Sequence, residues 1–278
     1  MNTIQLIRNT LLLLLLGWAG PLVAQNDTKE QIVVPLSDPS KPGFVTVALV
    51  GGSIKVVGSS GKDIVIDAVS SNRRTDRDDK VDPNASGMKR ISAGNGMEVR
   101  AEEKDNKVNI STDSWKRPID LTIRVPQRCS LKLKTVNHGD VTVENVTGTL
   151  EISNVNGAIQ LSNISGSAVA NTVNGNLVAT FKAIDADVPM AFSTLNGNVD
   201  VTFPGNTKAA VKIKTDQGDI YSDFDIAVDK SEPKSTRTEK NGMYKVSVED
   251  WVKGKINGGG PEVMMKNMHG NIYIRKAK

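Results

Sequence analysis

Apolar and polar positions alternate with period 2 through much of the chain, and between Asn137 and Phe181 that alternation recurs every nine residues. The stretch reads NHGDVTVEN, VTGTLEISN, VNGAIQLSN, ISGSAVANT, VNGNLVATF, with glycines at Gly139, Gly148, Gly157, Gly166 and Gly175. Two and four residues after each glycine stands a small or apolar pair: Val141/Val143, Leu150/Ile152, Ile159/Leu161, Ala168/Ala170 and Leu177/Ala179. Positions two apart share one face of an extended strand. A further apolar residue (Val146, Val155, Ile164, Val173) precedes four of the glycines by two. It lies an odd step from the strand pair, so the chain must turn before it points inward again. Each nonapeptide therefore predicts one short strand and one corner, with glycine and asparagine supplying backbone conformations that other residues resist. Regular glycines among β-branched residues oppose a helix. An antiparallel meander is possible, but identical corners at equal spacing favour a solenoid with inward columns stacked from coil to coil.

The motif returns at Thr194–Val201, Thr215–Ser222 and Asn267–Ile274, around Gly197, Gly218 and Gly270. The steps from Gly175 to Gly197 and from Gly197 to Gly218 are 22 and 21 residues, two nonapeptides plus a loop, as expected if two strands make one coil. Upstream, alternation predicts strands at 45–50, 54–57, 64–69, 97–101, 107–111, 120–125 and 130–136, and downstream at 209–214 and 244–248. The expected fold class is thus all-β: a β-solenoid, β-helix-like, built from nine-residue strand-corner repeats with capping strands. The final motif copy is expected to close the fold at one end, since an open solenoid end would template aggregation.

Residues 1–25 stand apart. Arg8, the apolar run Leu11–Leu16 and the small residues ending Leu22-Val-Ala-Gln25 read as a secretory signal peptide. A polar lead-in (26–43) and one solenoid domain (44–278) follow, interrupted by a charged loop (70–95) and an excursion (226–241). No later segment is apolar enough for a membrane helix. Without the leader, Lys+Arg falls from 35 to 34 against 31 Asp+Glu, a net of about +3 with both signs interspersed. That is no footprint for nucleic acid. The lone Cys129 has no disulfide partner and no adjacent base, and reads as a buried structural thiol.

The strand Leu121–Pro126 (LTIRVP), the run SLKLKTVNHGDVTVENVTGTLEISNVNGAIQLSNISG and the closing GGGPEVMMKNMHGNIYI together resemble the bacterial "putative adhesin" family of unknown function, also called toast-rack or DUF4097-type. The resemblance spans about residues 45–276 and is strongest from 119 to 202. It implies an exported envelope domain in the periplasm or on the cell surface of a bacterium, without established catalytic residues. Related domains are linked to surface attachment and to envelope-stress sensing.

The rival class is a carbohydrate-active solenoid, a polysaccharide lyase or hydrolase. That chemistry needs carboxylates roughly 5 to 10 Å apart, or an acidic metal cluster, on one face. Asp140, Glu144, Glu151, Asp200, Asp219 and Asp223 occupy outward positions, but neighbouring repeats hold Thr, Ser, Ala, Gln or Asn there. His138 and His269 each precede a corner glycine, where Asn156, Asn174 and Asn196 stand elsewhere, and read as polar turn residues without metal-ligand spacing. The aspartates Asp76, Asp78, Asp79 and Asp82 lack the glycine and glutamate of a calcium loop. The Asn-x-Ser/Thr sequons at Asn26, Asn84, Asn109, Asn145 and Asn163 fit corner chemistry as well as any glycan acceptor. The expectation is a non-enzymatic module with no catalytic, cofactor or metal residues. Its polar faces meet an unknown envelope protein or polysaccharide, and its corner glycines are structural.

Overall fold

The structure, a computed structural model, describes residues 28–70, 97–112, 118–137, 139–229, 235–240, 243–248 and 251–278. The leader (1–25), the charged loop beyond Ser70 with its aspartates, and His138 lie outside them. The described residues form strands and turns without a helix. The chain opens with β1 (Thr28–Val34), inside the stretch read as a polar lead-in, then β2 (Gly43–Ala48), β3 (Ile54–Ser59) and β4 (Ile64–Ser70). β5 (Val99–Lys104), β6 (Lys107–Thr112) and β7 (Ile119–Pro126) follow. The repeat array supplies β8 (Cys129–Lys134), β9 (Val141–Glu144), β10 (Thr147–Ser153), β11 (Ile159–Asn174) and β12 (Leu177–Ile184). β13 (Met190–Asn196), β14 (Val199–Phe203), β15 (Ala209–Gln217), β16 (Ile220–Ser222) and β17 (Ile226–Val228) come next. A separate hairpin, β18 (Ser235–Lys240) with β19 (Met243–Val248), precedes β20 (Val252–Ile256), β21 (Glu262–His269) and β22 (Ile272–Lys276).

Two strands make one coil, so parallel partners sit 18 residues apart in the array: Val141 beside Ile159, Ile159 beside Leu177, Thr147 beside Ser165. One face stacks β6, β2, β8, β10, the second half of β11, β13, β21 and β15 in parallel. The other stacks β7, β3, β9, the first half of β11, β12, β14, β22 and β16. We call them face A and face B. Antiparallel strands cap three of the four sheet edges. β5 covers β6, β4 and β1 cover β7, and β20 and β17 cover β15. Among the described residues the fourth edge, β16, pairs only with β22.

Coil order in space departs from coil order in sequence at both ends. The pair β2–β3 lies between β6–β7 and β8–β9. The pair β21–β22, expected to close the fold, instead lies between β13–β14 and β15–β16. The alternating pattern of β21 and β22 suits a strand buried on one face, and nothing in it specifies which neighbours that strand joins.

The predicted columns form the core. Val141, Val143, Leu150, Ile152, Ile159, Leu161 and Leu177 are fully buried. Where the columns narrow to Ala168, Ala170 and Ala179, Phe181 fills the space, meeting Phe203 in a stacked pair (5.5 Å) and Phe192 edge-on (6.0 Å). Small residues opposite large ones keep an interior close-packed.

The two corners of each coil are built differently, and here the nine-residue reading needs correction. Leaving face B, Asn145 and Asn163 adopt left-handed conformations (φ 57° and 58°). That turn switches the strand parity, so Val146 and Ile164 point inward and are fully buried. Leaving face A, the strand alternation runs on unbroken to the glycine. The residue three before the glycine (four before Gly139) is therefore inward, and the one that follows it is outward. Val173, expected to be buried, is exposed instead, and Val155 is only half-buried. The inward polar residues form a column, each hydrogen-bonding the corner carbonyl of the adjacent coil: Thr135 to Gly52 (2.9 Å), Asn154 to Gly139 (3.0 Å), Thr172 to Gly157 (2.9 Å), Thr194 to Gly175 (2.9 Å), Asn267 to Gly197 (2.7 Å) and Thr215 to Gly270 (3.0 Å). A buried carbonyl without such a partner would cost about 1–3 kcal/mol. The glycines of this corner also stack directly on one another. At Gly270 (φ 130°), a β-carbon would collide with the Gly197 carbonyl.

Candidate functional site

The outward carboxylates are engaged, and all but Asp219 bond a residue of an adjacent coil. Asp140 accepts the Ala158 amide (2.7 Å), Glu144 pairs with Lys55 (3.0 Å) and Glu151 with Lys132 (2.8 Å). Arg275 Nε reaches both carboxylate oxygens of Asp200, at 2.8 and 2.9 Å. Asp219 accepts from the Tyr221 hydroxyl (3.2 Å), and Asp223 from the Lys276 amide (3.3 Å). Asp219 and Asp223 stand at either end of β16. Among the described residues no group of three or more His, Cys, Asp or Glu side chains is placed to hold a metal ion. His269 is exposed at the end of β21, in register with Asn196, in the turn position where the array carries asparagine. Cys129 is fully buried, and burial pushes its thiol up to about 12.

The glycine corner leaving face A shows a different chemistry. Side-chain amides run along it from coil to coil: Asn156 donates to Asn137 (3.2 Å), Asn174 to Asn156 (2.9 Å) and Asn196 to Asn174 (2.7 Å). Beside this ladder runs the outward apolar row created by the unbroken alternation. Val173, Leu195 and Met268 occupy equivalent positions in adjacent coils and are 37%, 41% and 40% exposed. These are large side chains left in water on a rigid sheet, in contrast to the fully buried Val146 and Ile164 of the opposite corner. Further from the corner, face A turns basic at its C-terminal end. Lys266 and Lys214 are register neighbours, as are Lys212 and Lys253, and Lys255 lies one row on. Lys214 pairs with Asp216 (3.2 Å), and Lys212 lies over the Trp251 ring (4.6 Å to its centre).

Face B ends on two tyrosines. Tyr221 of β16 and Tyr273 of β22 are register neighbours with rings stacked at 5.4 Å and 11°. Asn271 ties the pair, donating to the Tyr273 hydroxyl (3.0 Å) and accepting the Asp219 amide (2.9 Å). The Arg275 guanidinium lies 5.1 Å from the Tyr273 ring centre. The Asp219 carboxylate, hydrogen-bonded to the Tyr221 phenol, raises that phenol above its ordinary value. Sequence reasoning missed both the apolar row and this pair. The row was hidden because one motif position has two fates. The pair was hidden because Tyr221 and Tyr273 are 52 residues apart, and only the intercalated coil brings them together.

Residues 120–257 match the family model described as Toastrack DUF4097. No curated protein matches the chain. Among solved structures, the chain is similar to a "putative cell adhesion protein" from Clostridium sporogenes, at 13% identity over 90% of this chain and 100% of that one, with a TM-score of 0.47. It is also similar to a "putative adhesin" from Bacteroides fragilis, at 14% identity over 90% and 97% of the two chains, with a TM-score of 0.35. Among the described residues no helix is long and apolar enough to cross a membrane.

Proposed function

We propose, for a chain whose residues 120–257 belong to the toast-rack family, a non-enzymatic binding or scaffold module of the bacterial cell envelope. In this reading residues 1–25 are an export signal, and residues 44–278 act as one rigid solenoid that meets a polymer or protein of the periplasm or cell surface. The observation that carries it is the row Val173, Leu195 and Met268 beside the asparagine ladder. Scattered apolar residues on a surface need no explanation, but an ordered row on a flat face suits a partner. Register-locked strands keep the row fixed, so binding orders little of the protein. Many weak contacts can then add up without a large entropic cost.

The test is photocrosslinking in the producing cells. A photoreactive residue at position 195 is expected to trap a reproducible envelope component, and one at position 178, outward on face B, to trap none. Equal trapping from both positions, or none from either, contradicts the reading. N-terminal sequencing of the mature protein checks the export step, with a start beyond Ala24 or Gln25 as the expected result.

A further inference from the structure

We infer that the Tyr221–Tyr273 pair at the β16 edge of face B is a saccharide-stacking subsite for a neutral or amino sugar. The inference rests on the polymer-binding reading above and names a subsite for it. Tyr221 is 50% exposed although one face of its ring lies against Tyr273, and among the described residues no strand pairs with β16 on the side away from β22. An aromatic face in water is the surface on which the C–H side of a pyranose ring packs, because both partners are apolar over the same flat area. The ring is held before any ligand arrives. Asp219 accepts its hydroxyl, and Asn271 anchors both Tyr273 and the Asp219 backbone.

Charge selects the occupant. Asp219 and Asp223 stand at either end of β16, on both sides of Tyr221, and Asp225 follows; of the neighbouring cations, Arg275 is paired with Asp200 and Lys276 lies over the Phe224 ring. Carboxylates accept hydrogen bonds from sugar hydroxyls or from an ammonium group, and they repel uronates and other anionic polymers. The same charges disfavour a second copy of this chain, whose edge would bring like charges together. An extended peptide adding a strand to β16 is favoured less. The strand has three residues, and the Ser222 hydroxyl is already bonded to the Phe224 backbone at 3.0 Å.

The experiment uses the full mature chain on a printed array of neutral, N-acetylated, amino and acidic oligosaccharides, followed by titration of the best neutral or amino probe. Tyr221→Ala is expected to weaken binding at least tenfold, while Tyr221→Phe retains most of it because the ring remains. Asp219→Asn and Asp223→Asn together are expected to admit acidic probes that the native protein excludes. No array signal, preference of the native protein for acidic probes, or unchanged affinity in Tyr221→Ala overturns the inference. So does binding only of a basic peptide, with protection of the Ile220 and Ser222 amides. If one of these results overturns the subsite while position 195 still crosslinks, the module reading survives and only the subsite falls. Equal melting temperatures for native protein and Tyr221→Ala exclude a folding effect.

Discussion

The two corners of each coil start from nearly the same nonapeptide and end in opposite environments. At the corner leaving face B, a left-handed asparagine turns Val146 and Ile164 into the core. At the corner leaving face A, unbroken alternation puts Thr172 and Thr194 inside and Val173 and Leu195 outside. The difference comes from one backbone conformation, because changing strand parity once flips every later side chain to the other face. One corner therefore closes the core, and the other seals it with hydroxyl-to-carbonyl bonds while displaying an apolar row. In this protein the apolar residue before a corner glycine reports burial at one corner and display at the other.

The largest effect that probes this arrangement comes from removing the intercalated coil. A chain ending at Pro261 loses β21 and β22, and with them both partners of the β15–β16 coil on its inner side. Had these strands been a terminal cap, truncation would expose one edge and leave the coils beneath intact. Intercalation predicts instead that Ile220–Ser222, left without a strand partner, and Ala209–Gln217, left with β20 alone, lose protection in hydrogen exchange, while coils from β10 to β12 keep theirs.

Substitutions within one motif position come next. Ile164→Ala is expected to cost about 2–5 kcal/mol, through lost burial and the cavity left behind. Val173→Ala, at the matching motif position of the other corner, is expected to stay within about 0.5 kcal/mol. Denaturant unfolding of the two variants compares them directly, and similar losses would erase the distinction between the corners.

The polar column gives smaller changes of both signs. Thr172→Val leaves the Gly157 carbonyl without its partner and should cost about 1–3 kcal/mol. Asn267 fills the same column, but its buried Oδ1 has no hydrogen-bond partner. Asn267→Thr keeps a donor for Gly197, as Thr172, Thr194 and Thr215 do in their coils, and removes that orphaned oxygen. It is expected to stabilise the fold by about 1 kcal/mol, read as a raised melting temperature.

The smallest effect is alkaline. Burial raises the Cys129 thiol from 9.0 to about 12, so the folded state disfavours the thiolate. Its contribution to stability is fully present below pH 9, and is lost as pH climbs from 9 toward 12, where the unfolded chain ionises first. Cys129→Ala should flatten that slope. In the native fold the thiol should resist alkylation at pH 8, and rapid labelling would place it at the surface.

Much of the fold was legible because the evidence for it is local. Glycine spacing and period-2 alternation mark the strands, the inward columns and the 18-residue coil, and Gly157 and Gly175 stack as corner residues on adjacent coils. Two things were not legible, for different reasons. The fate of the apolar residue before a corner glycine depends on whether the residue preceding it goes left-handed, and Asn145 and Asn154, which precede Val146 and Val155, look alike in sequence. Asn145 does turn (φ 57°), while Asn154 does not and bonds inward. The positions of β2–β3 and β21–β22 depend on pairings between segments distant in the chain, which alternation cannot specify. The tyrosine pair depends on that placement, so no local pattern announces it. The carboxylates were located correctly as outward groups, and their engagement by Lys55, Lys132 and Arg275 became visible only in register.

The most direct measurement pairs two double variants, Val146→Ala/Ile164→Ala and Val173→Ala/Leu195→Ala. Each is followed by denaturant unfolding and by crosslinking from position 268 in the producing cells. The first should lose several kcal/mol while the folded fraction still crosslinks. The second should unfold like the native protein and lose its crosslink. Comparable destabilisation of both variants, or an undiminished crosslink in the second, would contradict the assignment of one corner to the core and the other to display.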